Sequence, residues 1–234
     1  MDRLDGVLSV EERAERYVGL LREAQPHGPY LLAGWSFGGA LAYETGLRLQ
    51  AAGEEIELLA MIDTLLPLPD PPGHSDAQVV GLRFLRFAEF IELSYGKPIA
   101  LPYERMASLD DEAQADIMTA AIVDAGLIDA DANAAIIRHQ RTSYLDVRAL
   151  ERYRPTRLEG PVVFYSARDA QPGGIRDPRF DRQDVARGWD AVCGDQLDVV
   201  RVPGHHLSLL DPPNVDAIAA HMNWLLDALR LAAA

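Results

Sequence analysis

Residues 30–46 read YLLAGWSFGGALAYETG, and the fold follows from them. Tyr30 to Trp35 is a short apolar run, of the kind that fills a fully buried strand. Phe37 to Ala51 reads as a helix, which Gly53 ends. At the junction, Gly34-Trp35-Ser36-Phe37-Gly38 fits the G-x-S-x-G pattern, in the strand-then-helix setting that the pattern requires. A serine on so sharp a turn projects its hydroxyl beyond the strand's carboxyl end. Gly34 and Gly38 are expected to be small so that strand and helix can pass. The Phe37 amide, at the helix start, is expected to donate to a developing oxyanion.

The pattern extends in both directions. Ser9-Val10-Glu11-Glu12 has the spacing of a capping box and predicts a helix from about Val10 to Ala24. Ala14, Tyr17, Val18, Leu20 and Leu21 are expected on its inner face. Pro26, Gly28 and Pro29 then break the chain, and Ile56 to Ile62 is a second buried-strand run. Helix, strand, helix, strand in this order predicts a parallel sheet with crossover helices.

The rhythm changes at Thr64 to Gly73 (TLLPLPDPPG), which is too rich in proline for regular structure. Helices are expected over Gln78 to Leu93, with a polar stripe of Arg83, Arg86 and Glu89, and over roughly 110–124 and 131–152. No strand pattern occurs between about 73 and 155, so this block reads as a helical lid inserted into the sheet. Strands resume at Val162 to Ala167 and Leu197 to Val202. A last helix follows Pro213, with Val215, Ile218, Ala219, Met222, Leu225 and Leu226 on one face. The expected organisation is a first core part at 1–72, the insertion at 73–155 and a second core part at 156–234.

Composition narrows the function. With 48% hydrophobic and 25% charged residues, the chain is of globular type, and no apolar run is long enough to span a membrane. A net charge of −14 repels phosphate backbones and anionic lipid, which argues against nucleic-acid partners. The one cysteine, Cys193, allows no internal disulfide and fits a reducing, cytoplasmic compartment. It is expected to be a bystander.

A serine nucleophile needs a base, which an acid in turn orients. His205 and His206 directly follow the last strand, and their spacing alone does not choose between them. Asp63 and Asp169 both stand at strand ends, and either could supply the acid. His27, His74 and His221 are read as surface or packing residues. No metal site is expected, because no ligand pair stands at helical spacing near the two histidines.

GWSFGG, the aspartate in MIDT, and GHHLSLL together resemble the type I thioesterase domains of polyketide synthases and non-ribosomal peptide synthetases. The resemblance spans nearly the whole chain. It implies an α/β-hydrolase fold: a mostly parallel sheet, helices on both faces and a helical lid. The family's acid spacing selects Asp63, and its G-x-H pattern selects His206. SVEERAERYVGLLREAQPHGPYLLAGWSFGG, ALPYERMASLDDEAQ and IIRHQRTSYLDVRAL are similar to the terminal thioesterases of mycolic-acid condensing polyketide synthases. That likeness implies a long β-ketoacyl substrate presented by an acyl carrier protein on phosphopantetheine, no cofactor of the domain's own, and His139, Ser143 and Tyr144 lining an acyl groove. Val147 stands where those relatives have a polar residue. The family's first strands and its HPxGG-type oxyanion loop have no counterpart before the capping box. A catalytically impaired module that binds acyl chains or carrier protein, and a generic esterase or lipase, are therefore the competing expectations.

Overall fold

The computed structural model describes residues 8–70, 72–127, 134–171, 177 and 179–232. In chain order the elements are α1 (Val10–Ala24), β1 (Tyr30–Trp35), α2 (Phe37–Ala51), β2 (Ile56–Ile62), α3 (Asp76–Tyr95), α4 (Tyr103–Met106), α5 (Asp111–Asp124), α6 (Ala134–Arg152), β3 (Val162–Ala167), α7 (Asp190–Cys193), β4 (Leu197–Val202) and α8 (Val215–Ala232). The four strands lie where the apolar runs predict them. The expected start of α6 at Asp131 lies outside the described residues. The chain forms two compact units: Met1–Pro26, Leu65–Thr156 and Gly173–Gln183 make one, so far as they are described, and His27–Thr64, Arg157–Pro172 and Asp184–Ala234 make the other.

The second unit holds the sheet. Its strands run parallel in the order β1-β2-β3-β4, so each crossover leads to the neighbouring strand. β3 is buried at every position, as an inner parallel strand must be. α2 packs on β1 and β2 on one side. On the opposite face Leu58, Ala60, Tyr165, Ala167 and Val202 form a core with Ile218 of α8, flanked by Met222, Leu225 and Leu229. Only Ile218 of the expected α8 face is fully buried, and Ala219 is exposed.

The first unit is helical. Both bonds of the Ser9–Glu12 capping box form, and a second capping box, Ser75 with Gln78, opens α3. Val80, Phe84, Phe87, Ile91, Met106 and Met118 lead its apolar core. Two sequence expectations change here. On α1 the inner face carries Val10, Arg13, Ala14 and Val18, while Leu20 is exposed. Arg13 is buried because it pairs with Asp146 of α6. On α3, Arg83 is also buried rather than part of a solvated stripe, being held by Glu151 and Asp177. An arginine can occupy an apolar face only when carboxylates replace its lost water.

Candidate active site

The strand ends assemble the site within the sheet unit. Ser36 follows β1, and its amide donates to the Ile62 carbonyl at 2.9 Å, continuing the β1–β2 ladder. Its backbone adopts φ 55°, ψ −128°, a strained setting for a residue with a Cβ. The hydroxyl takes no part in capping α2. Asp63 follows β2 with φ 45°, and its amide donates to the Tyr165 carbonyl at 2.8 Å. His206 follows β4. Its Nε2 lies 3.0 Å from Ser36 Oγ, and its Nδ1 lies 2.9 Å from Asp63 Oδ2. Phe37, the residue whose amide the motif assigns to the oxyanion, is the first residue of α2.

Of the two histidines and two aspartates, the structure brings His206 and Asp63 together beside Ser36. His205 does not reach the hydroxyl; its carbonyl accepts from the Ser208 and Leu209 amides and closes the turn that presents His206. Asp169 serves the same loop, accepting from the Gly204 amide at 3.0 Å. Cys193 is buried against the Tyr43 hydroxyl, and burial pushes its thiol up. His221 packs beside Tyr165, whose hydroxyl lies 3.1 Å from its Nδ1. Among the described residues no group of three or more His, Cys, Asp or Glu could hold a metal ion.

Asp63 is 1% exposed. Burial alone would push its carboxyl up. The bond to His206, the Ala167 amide at 3.2 Å and the Arg187 guanidinium more than offset this and hold it below the usual carboxylate range. Asp63 is therefore kept as the anion that an imidazolium needs beside it. Its stabilising contribution is fully present above the ordinary carboxylate value and is lost as pH falls through the lowered one.

The glycines divide their labour differently from the motif. A Cβ on Gly34 would lie 2.1 Å from the Gly38 carbonyl oxygen, and one on Gly39 would lie 1.9 Å from Thr64 Oγ1. A Cβ on Gly38 would meet nothing within 4 Å. Gly34 is thus required where strand and helix cross, Gly38 contributes only its backbone there, and Gly39 is the second tight position. Gly34→Ala is expected to cost about 3 kcal/mol or more in urea denaturation. Gly38→Ala is expected to be neutral, or stabilising by up to about 1 kcal/mol, because alanine is the better helix former.

The three groove residues expected from the resemblance lie on α6, in the helical unit. Tyr144 is buried there, its hydroxyl donating to Gln114 Oε1 and its ring 5.7 Å from that of Phe84. Its hydroxyl thus has a packing role in the helical core. Ser143 is half-buried and His139 is exposed.

Sequence reasoning missed two neighbours of the site. Trp35 stacks on the His206 ring, with centroids 5.3 Å apart. Arg187 Nε lies 3.5 Å from Asp63 Oδ1. Trp35 could have been suspected as the residue before the serine, but Arg187 stands in a loop with no motif of its own.

A family model described as a thioesterase domain matches residues 5–226. The chondramide synthase of Chondromyces crocatus is 27% identical over 92% of this chain. A non-reducing polyketide synthase of an Arthrinium species is 29% identical, also over 92%. The chain spans only 5% and 10% of those two proteins. Among solved structures, a four-domain non-ribosomal peptide synthetase, bound to AMP and glycine, is 28% identical, with a TM-score of 0.61 over 93% of this chain and 16% of its own. The parallel sheet flanked by helices is thus of the α/β-hydrolase type.

Proposed function

The chain belongs to the thioesterase domain family, and on that premise we propose that it cleaves an acyl thioester through an acyl-Ser36 intermediate. The observation that carries this reading is the position of His206, whose two ring nitrogens lie within hydrogen-bond reach of Ser36 Oγ and Asp63 Oδ2. In this scheme His206 Nε2 takes the Ser36 proton as Oγ attacks the thioester carbonyl. The Phe37 amide, at the positive end of α2, faces the charge that develops on the carbonyl oxygen. The intermediate collapses, the C–S bond breaks, and His206 returns the proton to the departing thiol. A water or alcohol then repeats the sequence, activated by the same imidazole, and frees Ser36. Asp63 orients the ring and stabilises the imidazolium throughout.

The acyl chain is proposed to arrive on the phosphopantetheine arm of a carrier protein, because the relatives include a polyketide synthase and a four-domain non-ribosomal peptide synthetase. A long apolar chain fits the large apolar side chains that stand exposed beside the reactive groups in the sequence: Trp35, before Ser36, and Leu207 and Leu210, after His206. Fluorophosphonate labelling followed by peptide mapping tests the reading. The adduct is expected on the peptide carrying Ser36, and pantetheine thioesters are expected to turn over faster than matched oxyesters. An adduct at any other residue, with Ser36 unmodified, would discard it.

A further inference from the structure

Among the described residues, three non-glycines have positive φ: Ser36, Asp63 and Arg187, the last at 52°. Strained backbone of this kind costs of order 1–3 kcal/mol per residue and concentrates at functional sites. Two of the three are the proposed nucleophile and acid. The third reaches the acid: Arg187 Nε is 3.5 Å from Asp63 Oδ1, the oxygen that His206 does not use.

The Arg187 segment is anchored for this task. The Gly188 amide donates to Asp184 Oδ1 at 2.7 Å and closes the turn. Trp189 is fully buried, and its indole Nε1 donates at 2.9 Å to the carbonyl of Thr64, the residue next to Asp63. One short segment therefore places a guanidinium beside the acid and holds the backbone of the next residue, Thr64. Among the described residues, the titratable and charged groups acting on Asp63 are His206, from the loop after β4, and Arg187; β3 adds the Ala167 amide and the Tyr165 carbonyl.

We propose that Arg187 is a positioning residue for the catalytic acid, its guanidinium beside Asp63 Oδ1 keeping the carboxylate in place for His206. The inference rests on the catalytic reading given above. It has a definite sign. Removing a cation beside the Asp63–His206 pair makes the pair easier to protonate, so its titration moves to higher pH.

The test compares wild type, Arg187→Gln, Arg187→Lys and Arg187→Gly in the full chain. Two readouts are used: the pH profile of kcat/KM on a pantetheine thioester, and the titration of the pair followed by the imidazole carbon resonance of His206. In the Gln variant the acid limb and the imidazole titration are both expected to rise by about 1 pH unit. Its kcat should fall on the order of tenfold with KM unchanged, as when an outer partner that orients a reacting group is removed. Lys should restore most of both. Gly, which adopts the positive φ without strain, should keep the fold and shift as Gln does. Unchanged midpoints in Gln and Gly, or a Lys variant no better than Gln, would overturn the proposal. A wild-type protein without turnover would count against the catalytic reading instead, and the imidazole titration would still decide the placement of Arg187.

Discussion

Replacing His206 with alanine is expected to lower kcat for acyl-thioester hydrolysis by on the order of 10⁶-fold, with KM little changed. The size follows from the two bonds the ring makes. With Nε2 absent, the Ser36 hydroxyl keeps its proton at neutral pH and is a poor nucleophile. With Nδ1 absent, the buried Asp63 carboxylate has lost the group it orients. Asp63→Asn is expected to cost less, about 10⁴-fold, because the ring remains but is held in the wrong tautomer. His205→Ala is the matched control and should stay near wild type, since the role of His205 in the turn runs through its backbone. Steady-state kinetics on a pantetheine thioester decides the matter. An alanine variant at 206 within tenfold of wild type would end the triad reading.

The second large effect concerns stability. Glu151 of α6 is 6% exposed and accepts from three arginines: Arg83 of α3, Arg148 of α6 and Arg179. Around it Arg148 and Arg152 share Asp111 of α5, Arg83 also meets Asp177, and Arg179 reaches Asp70 and Asp76. Asp111 feels burial pushing its carboxyl up, but its two arginines hold it below the usual carboxylate range. A network of this kind brings little net stability compared with an apolar core, but removing one member leaves the others uncompensated. Glu151→Ala is therefore expected to destabilise the protein by about 3–5 kcal/mol in urea denaturation followed by far-UV circular dichroism. A loss below about 1 kcal/mol would mean that the remaining carboxylates satisfy the three arginines without Glu151.

These two sites differ in how far the sequence reveals them. The strands, the α1 capping box and the serine elbow are local. A buried strand writes itself as a short apolar run, and a nucleophile on a sharp turn demands a glycine two residues before it. The chain therefore announces Ser36 through residues 34–38 alone. It also places two histidines and two aspartates at strand ends, because in a parallel sheet the carboxyl ends are where loops gather. Local pattern goes no further. Which histidine turns inward depends on the positive φ of Gly204 and on the Asp169 bond that closes its loop. Which glycine is indispensable depends on how closely α2 crosses β1, so Gly39 rather than Gly38 meets Thr64.

Charge was the least legible property. Arg13 and Arg83 look like solvent-facing residues on amphipathic helices, because their carboxylate partners, Asp146, Glu151 and Asp177, lie far along the chain. Arg187 and Trp189 reach Asp63 and Thr64 across a similar distance in sequence. By itself, then, the sequence determined the parallel α/β architecture, the serine elbow at Ser36 and a short choice of partners for it, since each rests on interactions between near neighbours. The family resemblance already favoured Asp63 and His206, but only the tertiary structure brings them together beside Ser36 and supplies the arginines that hold the buried carboxylates. Hydrogen bonds and ion pairs depend on distance in space, and folding alone brings residues so distant in the chain within a few ångströms.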